Sequence, residues 1–153
     1  MRPLFPKDYR NDVTLNNMVM SVDPECRPEV VAMLGSAIAT SISDIPFDVL
    51  VGTVKVGIVD GEIVLNPDLA QREKSILDLT VSATPDKICM IEAGASEIPE
   101  DIMFEAISKA HEEIKKLCDF IKKVQAEVGK EKITYEPHVV SEELYEEILK
   151  LSK

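Results

Sequence analysis

A regular run of apolar residues near the end of the sequence constrains the fold more than any other feature. Successive members stand four, three, four, three, four, three and four positions apart: Met103, Ile107, Ala110, Ile114, Leu117, Ile121, Val124 and Val128. This spacing predicts about seven turns of helix with a single apolar face. We expect the helix to lie across a sheet, with a free-standing coiled coil as the alternative.

Two β-hairpins are predicted ahead of this helix. The first is "GTVKVGIVDGEIVLNP", in which Asp60-Gly61 supplies the positive φ angles of a tight turn. The second is "ILDLTVSATPDKICMIEAG", with its turn at Thr84-Pro85-Asp86. Mixed β-branched and apolar residues also predict a strand at residues 12–22.

Three further helices are expected. Pro28 suits the first turn of a helix that runs through residues 30–42, "PDLAQREKS" predicts a short helical connection, and Ser141 is a suitable N-cap for a last helix ending near Leu151. The predicted order is strand, helix, two hairpins, long helix, linker and helix. We therefore expect an α+β fold, with helices on one face of a largely antiparallel sheet.

The N-terminal "RPLFP" places two large apolar side chains, Leu4 and Phe5, between two prolines. We expect a stiff, extended segment that does not form helix. Such a segment needs a pocket for its apolar residues. Either the rest of this chain provides it, or the stretch comes from the middle of a longer protein.

Composition and charge narrow the function classes. The 153 residues suit one domain with an appendage. No apolar run approaches the length of a membrane span, and no charged-then-apolar leader resembling a signal peptide is expected. The net charge of -11 opposes nonspecific nucleic-acid binding, although Arg2, Lys7 and Arg10 form a local cationic stretch. The three cysteines are widely spaced, which predicts reduced, mostly buried thiols of a cytosolic protein: Cys26, Cys89 and Cys118.

Catalytic chemistry is not evident from the residues. His111 and His138 are expected to be surface or structural histidines, and neither a phosphate-binding glycine loop nor a metal-ligand cluster is present in the sequence. Asp78, inside a predicted strand, could hold Mg²⁺ if a second carboxylate lay opposite. A hydrogen-bonded structural aspartate is the favoured interpretation, so no catalytic residue is assigned.

Five segments, in order, closely resemble a known family: "RPLFP", "AMLGSAIATSISDIPF", "VGTVKVGIVDGEIVLNP", "LDLTVSAT" and "MIEAGASEIPEDIMFEAISKAHEEIKK". They are similar to polynucleotide phosphorylase, the bacterial polyribonucleotide nucleotidyltransferase family. The resemblance implies the second half of the first ribonuclease-PH-like core domain over residues 1–129. Residues 130–153 would be the linker and first helix of the helical domain.

The resemblance implies a parent activity, a set of partners and a location. The activity is 3'-to-5' phosphorolysis of RNA with Mg²⁺ and inorganic phosphate, in a cytoplasmic homotrimeric ring that binds neither DNA nor membrane. The family's phosphate-binding serines and metal-binding aspartates belong to the second core domain. We therefore expect no cofactor in this chain, and whether it counts as an enzyme is left open.

The resemblance also implies what stands at individual functional positions of the family. Arg27-Pro28-Glu29 stands where the serines would be, and Ile76 stands where one metal aspartate would be, so only Asp78 remains. Arg2 matches an arginine near the family's RNA path and is the candidate residue for RNA contact. The chain departs from the family at Asp48-Val49-Leu50, where a small residue, glycine and proline are usual, and this departure predicts a changed connection.

These observations leave three hypotheses for function. The first is a fragment or variant of polyribonucleotide nucleotidyltransferase whose isolated chain is inactive. The second is a self-associating structural module without RNA activity. The third, which the negative charge opposes, is a nonenzymatic RNA binder.

Overall fold

The computed structural model describes residues 1–138 and 140–152, and it contains a four-stranded sheet with four α-helices. A 3₁₀ turn at Arg2–Leu4 precedes the regular elements. In chain order these are α1 (Pro28–Ile42), β1 (Gly52–Val59), β2 (Glu62–Leu65), α2 (Leu69–Lys74), β3 (Leu77–Ala83), β4 (Ile88–Ala95), α3 (Glu100–Val128) and α4 (Glu142–Leu151). The predicted α+β class is confirmed. The division of the chain at 129/130 stays a prediction, and Val139 and Lys153 within its second part lie outside the described residues.

Both predicted hairpins are present, and together they make the whole sheet. The strand order is β2-β1-β3-β4, and every neighbouring pair is antiparallel. Asp60 and Gly61 have φ angles of 51° and 84°, as a two-residue turn between twisted strands requires. At the second turn, the Thr84 N–H donates to the Lys87 carbonyl oxygen at 2.9 Å.

The long helix α3 lies across the sheet, which excludes the free-standing coiled coil. The core contains alternate residues of β1 and β3 and one face of α3: Val54, Val56, Ile58, Leu77, Leu79, Val81, Ala83, Ala106, Ala110, Ile114 and Cys118. Gly52 permits the close approach, because a Cβ there would lie 3.0 Å from a side-chain carbon of Ile114. The last member of the predicted stripe, Val128, is 60% exposed, so the docked face ends before the helix does.

Helix α1 contacts β1 and α3, and a lysine from beyond α3 caps its C-terminal end. The Lys132 Nζ donates to the carbonyl oxygens of Thr40, Ser41 and Ser43 at 3.2, 2.9 and 2.8 Å. Carbonyls at a helix C-terminus lack backbone partners, and here the ammonium group shares them with the Ser43 hydroxyl, which donates to Thr40, and with Gln125 Nε2, which donates to Ser41. Desolvation lowers the pKa of Lys132.

The predicted strand at residues 12–22 is wrong. The segment carries no strand, and among the described residues no backbone hydrogen bond joins it to another segment. Its apolar side chains face solvent, with Met18 77% and Met20 85% exposed. A strand exists only through pairing with a neighbour, and none of the residues that the structure describes pairs with this segment.

The N-terminal segment also differs from its prediction. Residues Arg2–Leu4 form one 3₁₀ turn instead of a fully extended chain, since the fixed φ of Pro3 suits such a turn. The chain does provide a partner for Phe5, whose ring centroid lies 4.7 Å from that of the buried Phe47.

Burial decides the prediction for the cysteines. Cys118 is buried as predicted, but Cys26 and Cys89 are exposed, because one lies before α1 and the other on the edge strand β4. Residues Asp48-Val49-Leu50 have no regular secondary structure, and Leu50 packs against the core. The change of connection relative to the family stays a prediction.

Candidate functional site

The face of the sheet opposite α3 is polar and carries the candidate site. Alternation along paired strands places Thr53 and Lys55 of β1 on the same face as Asp78 and Ser82 of β3. The Thr53 and Ser82 hydroxyl oxygens lie 2.8 Å apart across the two strands. Strand geometry therefore fixes where the Asp78 carboxylate points.

Asp78 lies between two cations. The Lys55 Nζ donates to Asp78 Oδ1 at 2.8 Å, and the Arg27 Nη1 lies 3.5 Å from Asp78 Oδ2. The same Arg27 nitrogen is 3.2 Å from Glu29 Oε1. The Lys55 hydrogen bond and the charges of Lys55 and Arg27 lower the pKa of Asp78, so this carboxyl is ionised at neutral pH.

Two of the sequence-predicted positions therefore meet in space. Arg27, the N-cap of α1, reaches Asp78 on β3 although 51 residues separate them. Ile76 does not contribute, since its side chain is 49% exposed and its backbone N–H donates to the Ile58 carbonyl at 3.1 Å. The structure therefore brings together Arg27 and Asp78, two of the positions that the resemblance singles out.

These residues do not fit a Mg²⁺ site. Both oxygens of Asp78 face cationic nitrogens, and the resemblance places the apolar Ile76 where a second carboxylate would be needed. In the described part of the chain, no group of three or more His, Cys, Asp or Glu side chains is arranged to hold a metal ion.

Lys55 is the site residue that the sequence analysis missed. Its signal was present in the first hairpin, where it is the one charged residue between Val54 and Val56 on an otherwise apolar strand. Only the register of β1 against β3 shows that Lys55 reaches Asp78. Lys55 pairs with Thr80, which is two positions from Asp78 and on the same face of the sheet.

Arg2 lies in a different place, which we call the N-terminal groove. This groove has a volume of ≈ 740 Å³, which lies within the range of about 300–1,000 Å³ that is typical of ligand sites. Its walls include the cationic Arg2, Lys7 and Arg10 and the apolar surfaces of Phe5, Tyr9 and Leu15. The acidic Asp12 also lines it. The Arg10 Nη1 donates to the Lys7 carbonyl at 2.6 Å, which holds its guanidinium at the groove.

The histidines have structural environments. The His111 Nε2 lies 3.0 Å from the carbonyl oxygen of Thr84, at the turn between β3 and β4. The backbone N–H of His138 donates to the Asp8 carbonyl at 3.1 Å. The ring contact supports the structural interpretation of His111, and the exposed side chain of His138 agrees with a surface histidine.

Comparison with known proteins identifies the family. Residues 50–113 match the model of the 3' exoribonuclease family, domain 2. The chain is 61% identical to the polyribonucleotide nucleotidyltransferase of Lachnoclostridium phytofermentans over 145 residues, which cover 95% of this chain and 21% of that relative. The protein of the same name from Caldicellulosiruptor saccharolyticus is 57% identical over 152 residues, which cover 99% of this chain and 22% of the relative.

The chain belongs to the polyribonucleotide nucleotidyltransferase family. It spans about a fifth of the length of the curated relatives it matches. A likeness to the crystal structure of rice (Oryza sativa) Rrp46 has a TM-score of 0.59 at 16% identity and covers 68% of this chain and 51% of that one. That likeness confirms the ribonuclease-PH-like fold of this polyribonucleotide nucleotidyltransferase segment. Within the described residues, no helix has both the length and the apolar character needed to cross a bilayer.

Proposed function

We propose that this chain is a non-catalytic segment of a phosphorolytic polyribonucleotide nucleotidyltransferase. It contributes scaffold, RNA contact and self-association to RNA degradation in the cytoplasm, and it does not itself transfer nucleotides. The observation that supports this proposal is the cluster of Arg27, Lys55 and Asp78. In it, two cationic side chains contact Asp78, the one carboxylate left where the resemblance implies metal binding.

Phosphorolysis requires a bound phosphate, a metal ion to offset charge on the transferred group and a held RNA end. At the positions implied for phosphate binding, Arg27 and Glu29 carry no hydroxyl, and Pro28 has no N–H. Glu29 adds a negative charge that repels phosphate and engages Arg27 at 3.2 Å. The ammonium group of Lys55 contacts Asp78 Oδ1 at 2.8 Å, and its positive charge opposes a divalent cation at that carboxylate.

RNA contact is assigned to Arg2 in the N-terminal groove. The groove brings Lys7 and Arg10 beside Arg2, so three cations face one surface of an otherwise acidic chain. Such a contact is weak and salt-sensitive, because few phosphates are neutralised. Mg²⁺ and inorganic phosphate act elsewhere in the parent enzyme, which we infer to be a trimeric ring.

The test is a phosphorolysis assay of the chain with poly(A), Mg²⁺ and phosphate, with nucleoside diphosphate release measured against a blank without protein. We expect no release above the blank. Turnover that is lost in the Asp78→Asn variant would show that the cluster is catalytic and would overturn the proposal.

The second candidate is a self-associating structural module that has no role toward RNA. The exposed apolar residues of the unpaired segment 12–22 and of the edge strand β4 favour it, because both can pair with another chain. A titration with labelled poly(A) at low salt separates the two candidates. Binding that is weakened by Arg2→Ala supports RNA contact, and an absence of binding supports the structural module.

A further inference from the structure

We propose that residues 130–138, which we call the strap, form a two-state element of the fold, and that Lys132 is its latch. In the closed state, which the structure shows, the strap joins the C-terminal end of α1 to the N-terminal segment, residues 1–9. Withdrawal of Lys132 releases both attachments together. The inference rests on contacts inside this chain and is independent of the RNA contact assigned to Arg2.

The first attachment lies at the C-terminal end of α1. There the Lys132 ammonium group donates to three carbonyl oxygens at distances of 2.8–3.2 Å. Two backbone hydrogen bonds lie beside it. The Lys130 N–H donates to the Ile42 carbonyl at 2.9 Å, on one side of the latch. On the other side, the Ile133 N–H donates to the Asp44 carbonyl at 2.8 Å, so the strap is fixed along the chain that leaves α1.

The positive charge of Lys132 makes this attachment specific. The sequence of α1, "PEVVAMLGSAIATSI", contains no basic residue, so the strap supplies the cation at the negative end of the helix dipole. The carboxylates of Asp44 and Asp48 attract the same charge. A neutral side chain of similar length would lose these interactions, whereas arginine would keep the charge with a different donor geometry.

The core does not depend on Lys132 to satisfy these carbonyls. The Ser43 hydroxyl donates to the Thr40 carbonyl at 2.8 Å, and the Gln125 Nε2 of α3 donates to the Ser41 carbonyl at 3.2 Å. The third carbonyl belongs to Ser43, which is half-buried and can bind water instead. Withdrawal of the latch therefore leaves none of the three acceptors without a partner, so the core can stay folded while the strap opens.

The second attachment joins the strap to one aspartate of the N-terminal segment. The Tyr135 Oη donates to Asp8 Oδ1 at 3.0 Å, and the His138 N–H donates to the Asp8 carbonyl at 3.1 Å. The Tyr135 ring also meets the Tyr9 ring edge-on, with centroids 5.0 Å apart. Both donors follow Lys132 closely in the sequence, so their positions depend on the path that the latch gives to the chain.

The strap is stiff between its two attachments. Ile133 and Thr134 are β-branched and favour extended backbone. Pro137 fixes its own φ and restricts the backbone of Glu136 before it. Because a stiff segment passes a displacement at one end to the other, the two attachments open and close as one unit.

Residue-resolved hydrogen exchange on this chain tests the latch. The amides of Ile133 and His138 report on the two attachments, because each donates a backbone hydrogen bond in the closed state. We expect Lys132→Met to speed the exchange of both amides by at least about tenfold, since hydrogen bonds from a charged donor are the strong ones. Lys132→Arg keeps the charge and should restore both rates to within about threefold of wild type.

Matched controls separate the latch from general effects. Lys130→Met removes the same charge from the same strap at an exposed side chain, and both amides should stay within about twofold of wild type. The amides of Val54 and Leu79, in the centre of the sheet, should keep their rates in every variant. Tyr135→Phe loosens the other end by loss of one hydroxyl, and it should speed the exchange of Ile133 as well as that of His138.

Three results overturn the inference. Unchanged exchange of Ile133 and His138 in Lys132→Met would show that Lys132 is not a latch. Faster exchange of only one of these amides, in Lys132→Met or in Tyr135→Phe, would show two independent contacts instead of one element. Equal acceleration of Val54 and of the strap amides in Lys132→Met would show that the lysine supports the whole core and that the strap has no open state of its own.

Discussion

Single residues decide the chemistry of the polar face. Asp78 survives at a position where the resemblance implies metal binding, but its carboxylate is held by Lys55 and Arg27. The sequence was sufficient to identify Asp78, Ile76 and residues 27–29 as the positions to compare. It could not show that Lys55 neutralises Asp78. These two residues are 23 positions apart in the sequence, and their contact depends on the register between the strands that carry them.

The cysteines give a prediction at the same scale. Burial raises the pKa of the Cys118 thiol to about 11, whereas Cys26 and Cys89 are exposed. At pH 8 only about one Cys118 thiol in a thousand is ionised, and solvent does not reach it. Iodoacetamide should therefore modify two cysteines in the native chain and all three after unfolding, as counted by intact mass. Native labelling of Cys118 at the rate of Cys26 would contradict the docking of α3.

At the scale of elements, sequence patterns predicted structure well where the pairing or packing partner lies within the chain. They predicted it poorly where the partner would have to come from outside the chain. Both hairpins and α3 follow from local turns and a self-contained apolar stripe. Residues 12–22 have strand-like composition but no neighbouring strand, so their backbone is unpaired. A sequence therefore cannot distinguish a segment that is paired as a strand from one that would pair only if a neighbouring strand were supplied.

The docking of α3 can be measured by mutation. Ile114 is fully buried against β1 and β3, so Ile114→Ala should lower the free energy of unfolding by about 2–5 kcal/mol. Lys116, on the outer face, contacts only Glu113 among the described salt bridges, and Lys116→Ala should leave the denaturation midpoint almost unchanged. Urea titrations of both variants check this, and equal effects would mean that the stripe does not dock the helix.

The whole molecule joins a well-packed α+β core to peripheral segments with few contacts. Lys132 and Tyr135 fasten the stretch after α3 to α1 and to the N-terminal segment, whereas residues 12–22 and α4 remain at the surface. The family and the fold were predictable from the order of segments. The peripheral contacts were not, because they depend on single polar atoms such as the Lys132 ammonium.

Hydrogen exchange should show this division. In a dilute sample, the amides of residues 12–22 should exchange at close to the rates of an unfolded peptide, because they have no backbone partner among the described residues. The amides of Val54 and Leu79, in the centre of the sheet, should exchange only through global unfolding. Protection of residues 12–22 that matches the sheet would contradict the unpaired conformation.

The open edge of the sheet at β4 affects how the protein aggregates in solution. β4 is eight residues long and exposed throughout, with Met90 and Ile91 at 43% and 49%, while the opposite edge strand β2 has only four residues. Sheet growth through β4 is held back by the repulsion that a net charge of -11 creates between copies. Concentrated salt removes that repulsion, so turbidity and thioflavin fluorescence should rise with ionic strength.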